Sequence, residues 1–110
     1  RYNGVITIAL KFNPRSLEDL YRIYENSYRN NDILEVVKLL EVDPKKVREI
    51  TLKKNYAAIV TNGTAILGLG NIGPAAGSPV MEGKSVLFNA LGGIDLMPIC
   101  FKERDPHKLV

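Results

Sequence analysis

The stretch YAAIVTNGTAILGLGNIGPAAG at residues 56–77, continued by SPVMEGKSVLFNALGGIDLMPICF at 78–101, decides how this chain folds. Residues 56–60 are a continuous apolar run of strand length, Asn62-Gly63 signals a hairpin or tight turn, and residues 65–67 resume the strand pattern. Glycines then take over from Gly68 to Gly77, in a loop suited to positive φ and close backbone approach. Pro74 and Pro79 place the start of the next helix near Val80, with Val80, Lys84, Leu87 and Leu91 along one face. Gly92-Gly93 supplies its stop, and residues 96–101 read as a further strand.

Outward from this centre, the β-branched run at 5–10 reads as a short strand closed by Asn13-Pro14. Ser16 with Asp19 forms a capping box for a helix whose Leu17, Leu20, Tyr21, Tyr24 and Tyr28 share a face. Residues 29–31 interrupt it, and Asp32 with Glu35 opens a second helix with a broad apolar face expected to be buried. Asp43-Pro44 starts a short third helix or turn to about Glu49, and residues 102–110 are a charged surface segment. Alternating strands and helices predict an α/β fold, a small three-layer α/β/α arrangement over a short, mostly parallel sheet. At 110 residues the chain has room for one such domain, spanning 1–110.

The formal charge is +3, and its placement matters more than its size. Residues 1–54 hold 11 basic and eight acidic side chains, whereas the 47 residues from 55 to 101 hold only Glu82, Lys84 and Asp95. The same 47 residues hold eight of the nine glycines. Charges of both signs alternate toward the ends without an aromatic and arginine surface motif, so nucleic acid is not the expected partner. Cys100 has no partner for a disulfide, lies between Ile99 and Phe101, and reads as a small buried hydrophobe in a reducing compartment. No apolar run reaches the roughly 18 residues of a membrane span. A soluble, cytoplasmic protein without membrane contact is expected.

Gly68, Gly70 and Gly73 satisfy G-x-G-x-x-G after a strand, which leaves two readings open. One is a dinucleotide loop of a βαβ unit; the other is a glycine turn joining strand and helix. The prolines after Gly73, and the lack of an acid about 20 residues on at a strand end, weigh toward the turn.

The stretch TNGTAILGLGNIGPAAGSPVMEGK at 61–84, continuing through Leu87-Phe88 and Gly92-Gly93-Ile94-Asp95 to Pro98-Ile99, resembles the malate-binding N-terminal domain of prokaryotic-type malic enzymes. Asp43-Pro44-Lys45-Lys46-Val47, Thr51 and Lys53-Lys54-Asn55 are similar to the segment just upstream in that family. Gly4 and Asp19-Leu20-Tyr21-Arg22-Ile23-Tyr24 are similar to its entry glycine and its Asp-Leu-x-x-x-Tyr. The resemblance implies an amino-acid-dehydrogenase-like N-terminal domain, with the nicotinamide cofactor, NAD or NADP, on a separate Rossmann domain absent from this chain. It implies oxidative decarboxylation of malate with Mg²⁺ or Mn²⁺, a homodimer, and metal ligands downstream of Val110.

Lys84 is the one cation in the apolar, glycine-rich centre. A lysine in a desolvated pocket loses its preference for the charged form and becomes available as a base; on a helix surface it merely snorkels. The resemblance places Lys84 at the general base for the malate hydroxyl, and Glu82 would then support the helix N-terminus through its dipole. It places Tyr24 at the general acid, although Glu25-Asn26-Ser27 departs from the family sequence there, and Tyr28 competes for the position. Tyr21, Tyr24 and Tyr28 equally form an ordinary packing stripe. Asn62 fits a hydrogen-bonding or a turn role, and the backbone N–H groups of Gly70, Asn71, Ile72 and Gly73 could meet a substrate carboxylate. His107 reads as solvated. The chain is thus expected to be the substrate-domain portion of a malic enzyme, inactive alone. The rival is a non-enzymatic module that senses a dicarboxylate or oligomerises.

Overall fold

A computed structural model describes residues 3–11, 13–24 and 32–108. Two compact units emerge, one formed by residues 55–108 together with 3–7, the other by residues 8–54.

The helical unit contains α1 (Leu17–Tyr24), α2 (Asp32–Val42) and α3 (Val47–Ile50). The expected capping box opens α1: the Asp19 N–H donates to Ser16 Oγ at 3.1 Å, and the Asp19 carboxylate accepts the Arg15 N–H at 2.9 Å. Asp43 caps the turn Pro44–Lys46 by accepting the Lys45 N–H, with Pro44 where no amide hydrogen is needed. The broad buried face expected of α2 is met only in part: among its described side chains Val36 and Leu40 are half-buried. Leu17, Leu20, Val37 and Leu39 are exposed, because the described residues of this unit bring no further layer over them. The interruption at 29–31 and Tyr28 lie outside the described residues.

The sheet unit is a βαβ unit: β1 (Tyr56–Thr61), α4 (Gly73–Gly92) and β2 (Asp95–Cys100). The strands pair in parallel, from Tyr56 opposite Asp95 to Thr61 opposite Cys100, so the α/β class and the parallel pairing are as the sequence implies. α4 packs chiefly on β2. The core lies under its first half, where Ile66 and Met81 are buried beside Gly63, Gly77 and Ser85. Gly93, in the left-handed region, stops the helix and donates its N–H to Asn89 O. Asn55 then ties the two strand starts together: its side-chain amide donates to Gly93 O and to Asp95 Oδ2, while its carbonyl accepts the Asp95 N–H.

Three expectations fail here. Residues 5–10 form no strand, since β-branched composition makes a strand only where a neighbouring ladder takes its hydrogen bonds, and the two-stranded sheet provides none. Residues 65–67 form no strand: of the hairpin and the tight turn open to Asn62-Gly63 the chain takes a turn, and residues 66–70 close into a second one in which Ile66 and Gly70 exchange both backbone hydrogen bonds. The helix begins at Gly73, not near Val80. Pro74 falls in its first turn, where a missing N–H is harmless, and Pro79 lies inside it at the loss of one backbone bond. Cys100 is half-buried, and His107 is exposed in the last turn, Pro106–Lys108. Among the described residues no helix is long and apolar enough to cross a membrane.

Candidate functional site

The parallel pairing brings the carboxyl ends of β1 and β2 side by side, and open α/β sheets bind ligands at such ends. Asn62 leaves β1 there. Its Oδ1 accepts both the N–H and the hydroxyl of Thr64, at 3.2 and 2.6 Å, and its Nδ2 donates to Glu103 O beyond β2 at 3.4 Å. The Asn62 carboxamide is therefore oriented from both sides.

Gly63 is the next joint. Its carbonyl accepts the N–H groups of Ile72 and Gly73, at 3.1 and 3.0 Å, which fastens the start of α4 to the end of β1. A side chain here is impossible without rearrangement: φ is +72°, and a Cβ would stand 2.1 Å from the Gly73 carbonyl group. The glycine-rich loop thus spends its donors internally. Gly70 donates to Ile66 O, Ile72 and Gly73 to Gly63 O, and Asn71 is left exposed at the rim. This geometry leaves the amides of Gly70, Ile72 and Gly73 bonded to backbone carbonyls within the loop.

It also bears on a dinucleotide. The first-turn amide of Gly73 is taken and Pro74 has none, so these residues do not fit a pyrophosphate. Among the described residues no three histidine, cysteine or carboxylate side chains gather, so they do not fit a divalent metal either.

Lys84 lies on α4, three residues past the buried Met81, and its side chain is exposed. Among the described residues none closes a desolvated pocket around it, and the helix-surface setting is the one seen. Glu82 sits in the third turn of α4, too far along to act on the helix N-terminus; its Oε2 accepts the Val5 N–H at 3.0 Å. Tyr24 is the last residue of α1, in the helical unit, and its side chain lies outside the described residues. Glu103 was not singled out by the sequence. Its Oε1 accepts the N–H groups of Asp105 and Arg104, which hold its carboxyl below the usual range against a small opposing effect of desolvation. An acid just before Asp105-Pro106, a turn-forming pair, is the signal that could have found it.

Residues 13–110 match the malic enzyme N-terminal domain family. The chain belongs to the malic enzyme family. NAD-dependent malic enzyme 1 of Bacillus subtilis is 45% identical over 107 residues, 97% of this chain and 23% of that protein. The NADP-dependent malic enzyme of Escherichia coli is 52% identical over 71 residues, 64% of this chain and 9% of that protein. The crystal structure of malic enzyme from Pyrococcus horikoshii superposes with a TM-score of 0.81 at 46% identity, covering 96% of this chain and 23% of that one. The chain thus spans about a quarter of the length of the Bacillus subtilis and Pyrococcus horikoshii relatives, and less of the Escherichia coli one.

Proposed function

We propose that this chain is the substrate-binding portion of a malic enzyme, serving oxidative decarboxylation of malate to pyruvate and CO₂, and that alone it does not turn malate over. The observation that carries the reading is the match to the malic enzyme N-terminal domain across residues 13–110. Relatives named for NAD and for NADP support a nicotinamide cofactor of either kind. That cofactor, and the Mg²⁺ or Mn²⁺ of the family reaction, are assigned to other parts of the polypeptide, because the residues here fit neither. The many exposed apolar side chains, Val42, Leu67 and Leu91 among them, agree with a segment whose faces are covered in a larger body.

In this reading Lys84 takes the proton of the malate C2 hydroxyl and Tyr24 returns one to carbon after CO₂ has left. A lysine acts as a base only where its charged form is disfavoured, so the exposed Lys84 acquires that setting from the rest of the folded enzyme. Asn62, oriented by Thr64 and Glu103, is assigned to hold the substrate, with Asn71 at the rim. A homodimer in the cytoplasm completes the proposal. The test is direct: the full polypeptide, given malate, Mn²⁺ and NAD or NADP, reduces the nucleotide, while the 110-residue chain does not. Absence of malate-dependent reduction in the full polypeptide would overturn the reading.

A further inference from the structure

The N-terminal residues are joined to α4 by a contact that spans 77 positions of sequence. The Val5 N–H donates to Glu82 Oε2 at 3.0 Å, and Gly4 lies against the same carboxylate. Gly4 has φ +81°, and a Cβ there would stand 3.3 Å from Glu82 Oε2, so both the conformation and the space favour glycine. Glu82 is half-buried in the middle of α4, which makes it a fixed point and not a waving surface acid. Residues 3–7 belong to the sheet unit, whereas the helical unit starts at Ile8 and ends at Lys54. The chain thus leaves the sheet unit after Thr7 and returns at Asn55. The returning end is fastened by the hydrogen bonds of Asn55 to Gly93 and Asp95. Glu82 fastens the departing end.

We propose that Glu82 is a positioning residue, latching Gly4 and Val5 to α4 and so fixing the point from which the helical unit, with Tyr24, departs. A charged acceptor suits this task, since a carboxylate to backbone N–H bond is stronger than a neutral one. A segment held at both ends has fewer arrangements open to it than one held at a single end. The catalytic half of the proposal rests on Tyr24 acting as the acid, because an acid must stay within hydrogen-bond reach of the carbon it protonates. The latch itself rests on geometry alone.

The experiment compares the full polypeptide with Glu82→Gln, Glu82→Ala and Gly4→Ala, by amide hydrogen exchange and by malate-dependent nucleotide reduction. Exchange at Val5 is expected to rise at least about tenfold in Glu82→Ala and Gly4→Ala, and to stay near wild type in Glu82→Gln, which keeps an acceptor. In the two released variants kcat falls at least about fivefold while KM for malate stays within about twofold, and Glu82→Gln restores kcat. Gly4→Ala leaves α4 untouched, so it decides the matter if Glu82→Ala does not fold. A Val5 amide that exchanges freely in wild type, or is unmoved in both released variants, overturns the latch. A released strap with kcat within about twofold of wild type overturns the positioning role. If no variant and no wild type reduces the nucleotide, the functional reading fails, and the exchange rates alone decide the latch.

Discussion

Gly63 sits where β1 ends and α4 begins, and its carbonyl takes the amides of both Ile72 and Gly73. Gly63→Ala would force a Cβ to within 2.1 Å of backbone at φ +72°, and backbone cannot step aside as a side-chain tip can. We expect a loss of at least about 2 kcal/mol, read as a lower denaturant midpoint. Glu103 makes a second prediction at this scale. Its folded carboxyl titrates below the ordinary value because the Asp105 and Arg104 amides favour the charged form. The stabilisation is therefore present above the unfolded value and lost as pH falls through the lowered folded value. Amide exchange at Asp105 and Arg104 should quicken on acidification into that window, and Glu103→Gln should remove the pH dependence. The sequence displays Lys84 as a lone cation and residues 68–77 as a glycine cluster, because both are visible in composition. It could not show where the loop amides point, since a glycine that permits an oxyanion cradle also permits a closed turn.

At the scale of elements, the apolar runs at 56–60 and 96–101 were legible as strands, and Gly93 as a helix stop, because each depends on local chemistry. The start of α4 was not. Pro74 and Pro79 read as breakers, yet one falls in the first turn and the other is tolerated within the helix. Residues 5–10 have strand composition without a ladder partner, so propensity yielded to context. The broad buried face expected on α2 is only partly formed for a similar reason: amphipathic spacing says which face is apolar, not whether anything covers it. Within α4, Gly83 has open space where a Cβ would be built and no positive φ. Gly83→Ala should therefore raise the stability of this chain by about 0.5–1 kcal/mol in a denaturant titration, opposite in sign to Gly63→Ala.

At the scale of the whole molecule, the charge map and the structure meet at one point. The charges crowd residues 1–54 and 102–110 of the sequence, and the glycine-rich centre supplies a βαβ unit with Lys84 exposed on its helix. Lys84 is exposed, and the chain spans 23% of the length of its Bacillus subtilis relative and of the Pyrococcus horikoshii structure. The central claim is that Lys84 is the base of a malate-oxidising site completed by the rest of the polypeptide. Its most direct test is the steady-state rate of malate-dependent NAD or NADP reduction by the full polypeptide carrying Lys84→Ala. We predict a fall in kcat of at least about 10²-fold with the fold intact by circular dichroism. Turnover unchanged from wild type would contradict the claim.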